Sequence, residues 1–139
     1  MQQHLGGAIT EDDTFLNAIR LRCSDGSVLK SSESPHGSWL QEKTISPNSY
    51  FKGAKIRQEQ FLVLPGIDDT GANGLKMYTK TNREISPGDG KWGEWSTTVY
   101  CPGDTKIVGF KTRNEIDKEG LTILEWDNTA LNDVMFKCL

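Results

Sequence analysis

Asp12-Asp13-Thr14-Phe15-Leu16-Asn17-Ala18-Ile19-Arg20-Leu21-Arg22-Cys23 occurs in this chain in three versions. The second, Asp68 to Thr79, reads DDTGANGLKMYT, and the third, Asp127 to Cys138, reads DNTALNDVMFKC. Counting from each first Asp, Thr recurs at the third place (Thr14, Thr70, Thr129) and Asn at the sixth (Asn17, Asn73, Asn132). The eighth place is aliphatic: Ile19, Leu75 and Val134. The starts lie 56 and 59 residues apart, a period that signals an array of similar units. The polar head holds a bend through short side chains that bond nearby backbone. After the Asn the pattern alternates, with Ile19, Leu21 and Cys23 on one face and Arg20 and Arg22 on the other. Leu75, Met77 and Thr79 oppose Lys76 and Tyr78 in the same way, as Val134, Phe136 and Cys138 oppose Met135 and Lys137. A period of two is that of a half-buried strand. Three such strands suggest three similar sheets around one core, with Ile19, Leu75 and Val134 pointing into it.

The rest of the chain fits an all-β reading. Fourteen Gly, many Ser, Thr and Asn, and no long 3.6-residue period argue against helices. With 139 residues the chain is read as one domain, 1–139, with a partial repeat over 1–35 and fuller repeats over 36–88 and 89–139. Turns are expected at Asp25-Gly26 and over Thr79-Lys80-Thr81-Asn82, and a loop over Ser86-Pro87-Gly88-Asp89-Gly90. Strands are expected from Gly37-Ser38-Trp39 to Ile45, from Tyr50 to Glu59 and from Lys106 to Glu115, with a short one at Arg83-Glu84-Ile85. The segment Lys91-Trp92-Gly93-Glu94-Trp95 matches the one around Trp39, and Cys101-Pro102 matches Ser46-Pro47. A full unit is thus a Trp-bearing strand, a Cys/Ser-Pro strand, an acidic-headed strand and a return strand, each unit making its own sheet.

Cys101 and Cys138 stand where the second repeat has Ser46 and Thr79. Absence of both together is the pattern of a disulfide pair. The same alignment gives Cys23 a partner on a strand that would precede Met1, so repeat one is expected to lack its first part. Its sheet would then carry an unpaired edge and an uncovered apolar face, which invite dimerisation.

The three acidic heads followed by LNAIRLRC, the KWGEW element and the Cys-Pro strand resemble vitelline membrane outer layer protein I along essentially the whole chain. The resemblance implies a secreted β-prism I: three Greek-key sheets around a pseudo-threefold axis, an architecture shared with jacalin-type lectins. It also implies a place in extracellular matrix or egg coats, and a proposed oligosaccharide-binding or transferase activity at acidic cavity residues. This sequence departs from the pattern in its incomplete first sheet, the missing second disulfide, and Asn128 where the other heads have a second Asp.

The candidate site follows from the heads. Asp12, Asp13, Asp68, Asp69 and Asp127, with Glu59 and Glu115 from the preceding strands, would form an acidic cleft if pseudo-symmetry gathers them at one end. Paired carboxylates can perform glycoside chemistry, one as acid and one as nucleophile or base. The plainer account is that each head caps its own turn, since catalytic sites seldom come in three copies. Trp92 and Trp95 are candidates for stacking on sugar faces, against the plainer reading that both rings fill the core. A non-enzymatic matrix protein with weak carbohydrate binding is preferred; a chito-oligosaccharide transferase or hydrolase is the alternative. No cofactor or metal is expected: the heads fit no calcium loop, and His4 and His36 lack partners at zinc spacing. Net charge −3 and pI near 5.4 argue against nucleic acid, and no apolar run is long enough for membrane insertion.

Overall fold

In the computed structural model, residues 2–3, 16–33, 37–59, 71–114 and 131–139 are described. These residues are all-β, in antiparallel sheets, without a helix among them. The strands are β1 (Gln2–Gln3), β2 (Leu16–Ala18), β3 (Arg20–Arg22), β4 (Val28–Lys30), β5 (Ser38–Trp39) and β6 (Phe51–Gln58). They continue with β7 (Ala72–Thr79), β8 (Glu84–Asp89), β9 (Glu94–Trp95), β10 (Val99–Tyr100), β11 (Ile107–Asn114) and β12 (Leu131–Cys138). β1 lies between β2 and β5, and β3 pairs with β4. A five-stranded sheet runs β10-β6-β7-β8, with β9 also on β6, and β11 pairs with β12.

Local chemistry explains the corners. Gly26 sits at φ 85°, and Asp25 Oδ1 accepts bonds from the Ser27 N–H and hydroxyl, closing the expected turn. Asn82 takes φ 63° in the second turn, where Thr79 Oγ1 accepts from the Arg83 N–H. Ser86-Pro87-Gly88, expected as a loop, is instead the irregular part of edge strand β8, where a proline's missing N–H does least harm. The strand expected from Gly37 to Ile45 is only Ser38–Trp39 long.

The Asn at the sixth place has a specific role. Gln2 and Gln3 face Ala18 and Leu16, Arg57 and Gln58 face Gly74 and Ala72, and Arg113 and Asn114 face Asp133 and Leu131. In each pair two consecutive residues span three on the other strand, so Asn17, Asn73 and Asn132 are the extra residues of three β-bulges. The bulge breaks the alternation, and Leu16–Ile19 and Ala72–Leu75 are buried without interruption. Beyond it the expected faces return: Leu75, Met77 and Thr79 are buried, and Lys76 and Tyr78 are half-exposed.

β2, β7 and β12 touch one another pairwise. Leu16, Ala72 and Leu131, at the fifth place of the three versions, are fully buried in one cluster with Ile19, Ile56, Leu75 and Met77. Val134 and Phe136 pack against it, so the aliphatic eighth place does serve a common core. This arrangement is consistent with a β-prism.

Two expectations are corrected. The apolar face of the first sheet is not uncovered: Leu16, Ala18 and Ile19 are buried, and Gln2–Gln3 pair along Leu16–Ala18. Sheet membership also differs from the grouping by repeat. The Trp-bearing strand β9 and the Cys-Pro strand β10 pair with β6, which precedes them, and β5 pairs with β1.

Candidate functional site

Of the candidate carbohydrate-binding residues, the structure describes Glu59, Trp92 and Trp95. Glu59 is half-buried, and its N–H continues the ladder to Gly71 O at 2.9 Å. Asp12, Asp13, Asp68, Asp69, Glu115 and Asp127 lie outside the described residues. Among the described residues, no three His, Cys, Asp or Glu side chains gather as metal ligands, and no helix is long and apolar enough to cross a membrane.

Trp92 does not fill the core: it is 62% exposed. It lies in the bend before β9, outside the strand that holds Trp95. The backbone beneath it is fixed. Gly90 N–H donates to the carbonyl of the bulged Asn73 at 2.6 Å, and Asn73 Nδ2 donates to Trp92 O at 3.1 Å. Arg57 clamps the same segment, with Nη1 donating to Gly90 O at 2.7 Å and Nε to Gly93 O at 2.8 Å. Gly93 adopts φ 83°, and a Cβ there would collide with the Gln58 carbonyl group. Gly93→Ala is therefore expected to cost ~2 kcal/mol through the left-handed backbone and the clash. Thermal denaturation checks this, and an unchanged midpoint would mean the loop is not fixed as described.

Trp95 has different surroundings. It is half-buried on the outer face of the sheet, with Lys76 Nζ 4.7 Å, Lys55 Nζ 5.4 Å and the Arg57 guanidinium 6.0 Å from its ring. Lys76 also pairs with Glu84 at 2.8 Å, and Tyr78 donates its hydroxyl to the same carboxylate at 2.8 Å. The Lys76 and Tyr78 hydrogen bonds hold the Glu84 carboxyl below its ordinary range, and Glu84 holds the Lys76 ammonium above its own. The two candidate tryptophans thus belong to two settings, one exposed at a sheet end and one among cations. Sequence reasoning missed Arg57, Lys55 and Lys76; only the recurrent Asn was there as a signal for the clamp.

The third sheet is tied to the second by a disulfide between Cys101, just after β10, and Cys138 on β12, with Cα atoms 5.6 Å apart. This is the pair expected from the repeat alignment. Cys23 is a half-buried free thiol. Residues 2–139 match the family model of vitelline membrane outer layer protein I.

The chain belongs to that family. Curated members similar to it include the vitelline membrane outer layer protein 1 homologs of Mus musculus and Homo sapiens. The Mus musculus protein is 31% identical over 109 residues, covering 73% of this chain and 51% of the relative. The Homo sapiens protein is 31% identical over 110 residues, covering 75% and 52%. The chain spans about half the length of these curated relatives. For a vitelline membrane outer layer protein I family member, the described geometry adds a clamped, exposed Trp92 and a cation-ringed Trp95.

Proposed function

We propose that this chain serves in a secreted, egg-coat or extracellular-matrix structural protein that binds neutral oligosaccharide weakly at the Trp92 end of its second sheet. The observation that carries this reading is a large indole held in solvent by a hydrogen-bonded backbone segment. Burial of such a side chain would be favourable, and a pre-positioned ring offers a flat apolar face to a sugar at little ordering cost. Chain connectivity carries β6 past Glu59 toward Asp68 and Asp69, whose carboxylates are proposed as hydrogen-bond acceptors for sugar hydroxyls. By the sequence repeat, Asp12, Asp13, Glu115 and Asp127 are proposed for the corresponding ends of the other sheets. The name and family of the relatives support the egg-coat role, and a disulfide suits an oxidising extracellular setting. The proposed frame is a β-prism of three sheets, for which the pairwise contacts of β2, β7 and β12 are the support.

Calorimetry with chitotriose tests the reading. Binding is expected at millimolar to high-micromolar strength, as an order-of-magnitude figure for a small shallow site. Trp92→Ala is expected to weaken it about fivefold, as loss of one stacking contact would. Asp68→Asn with Asp69→Asn should weaken binding without unfolding. No heat at millimolar sugar removes the proposal, and chito-oligosaccharide cleavage or transfer lost in the same Asp variants would replace it with an enzymatic one.

A further inference from the structure

The outer face of the five-stranded sheet carries positive charge in a chain whose net charge is −3. Lys55 and Lys76 sit directly opposite each other on β6 and β7. Like charges in that relation oppose pairing. Lys76 has Glu84 as its partner, whereas Lys55 has no ion pair among the described residues. Arg57 also points its charge at backbone carbonyls rather than a carboxylate. Four cations, Lys52, Lys55, Arg57 and Lys76, thus share this face with the carboxylates of Glu84 and Asp89.

The cations alternate with rings. Lys52 Nζ lies 5.8 Å from the Tyr100 ring, Tyr100 lies 6.1 Å from Tyr78, and Lys55 Nζ is 5.7 Å from Tyr78 and 5.4 Å from Trp95. Lys76, beside Lys55, reaches the same indole at 4.7 Å. Two glycines let the rings rest on the sheet. A Cβ on Gly53 would come within 2.5 Å of Tyr100 Cδ1, and one on Gly74 within 3.0 Å of Trp95 Cη2. Tyr100 is nevertheless 50% exposed. The track is therefore a low platform of aromatic surface with ammonium groups between the rings.

We propose that this face binds a sulfated polysaccharide, at a site that adjoins the Trp92 end through Arg57. A linear chain of sulfate esters would give Lys55 and Arg57 the ion-pair partner that neither has among the described residues, and its sugar C–H faces would lie on Tyr100 and Trp95. A neutral sugar would use the rings and leave the ammonium groups unanswered. A nucleic acid would meet the same charges, and the acidic remainder of the chain would repel either polyanion beyond this short track; the sulfated sugar is favoured because this inference rests on the extracellular-matrix role proposed above.

The test is calorimetry of the whole chain with a heparin dodecasaccharide at low salt. Saturable binding is expected, weakening as salt rises. Lys55→Gln with Lys76→Gln should weaken it about tenfold, two charge-assisted contacts being lost together. Lys106→Gln with Lys137→Gln, on the third sheet, should change it less than about twofold. Fully desulfated heparin should bind at least about tenfold more weakly. Lys55→Gln alone removes the opposed pair, so its melting temperature should hold or rise, which separates lost binding from lost folding. The proposal is overturned by absent heparin binding, by equal losses in the two variant pairs, by equal binding of desulfated heparin, or by equally tight binding of a thymidine oligonucleotide of matched charge.

Discussion

Leu131→Ala and Leu16→Ala should each lower the unfolding free energy by about 3–5 kcal/mol, the range for emptying a fully buried leucine site. Both side chains are 0% exposed and lie where β2, β7 and β12 meet. Their neighbour at the equivalent place, Ala72, is small and also fully buried, so the surroundings have little freedom to close a cavity. Val134→Ala, at a half-buried position, should cost less, about 1–2 kcal/mol. Lys137→Ala, exposed on β12, should be nearly silent. Urea denaturation would give the four values. A loss below about 1 kcal/mol for both leucines would mean that these strands do not share one packed centre.

Reducing the Cys101–Cys138 bond, or replacing both cysteines with serine, should cost about 3–4 kcal/mol in the chain-entropy view of a closed loop. The two half-cystines are 37 residues apart in sequence. The bond also joins β10, which belongs to the second sheet, to β12 in the third. Next to it, Lys106 and Leu139 exchange both backbone hydrogen bonds, at 3.0 and 3.1 Å, so the chain ends of the third hairpin are held locally as well. Free-thiol counting on the denatured, unreduced protein should find Cys23 alone. Three reactive thiols in protein from an oxidising source, or an unchanged denaturation midpoint after reduction, would refute the expectation.

The legible parts of the fold were those where neighbouring residues decide the outcome. The alternation after each Asn, the Asp25-Gly26 turn and the long strands over Phe51–Gln58 and Ile107–Asn114 all follow from local pattern. The disulfide was legible because Ser46 and Thr79 fill its two places in the second repeat. The centre of the core was harder to see. Its residues are Leu16, Ala72 and Leu131, on the acidic-head side of the bulge, where alternation fails and one of the three is only a methyl group. Trp92 and Trp95 look equivalent in Trp-Gly-x-Trp, but the positive φ of Gly93 turns the chain between them. The cation-ringed face was invisible because Lys55, Lys76 and Trp95 come from three strands whose register no local pattern specifies.

The pairing of β9 and β10 with β6 reaches further than the shape of one sheet. The sequence similarity groups residues 94–101 with the hairpin that follows them, whereas they are hydrogen-bonded to the hairpin before them. The period read in the sequence and the unit completed in folding are therefore offset along the chain. In a solenoid each repeat meets its neighbour at a flat interface and can fray from one end. Here, a cut at a repeat boundary would strip the preceding sheet of two strands and leave those strands without an acceptor. Opening one sheet thus means disengaging its successor. Slow amide protons from Ile56, Leu75 and Phe136 are accordingly expected to exchange through one common event rather than in an order set by position along the chain.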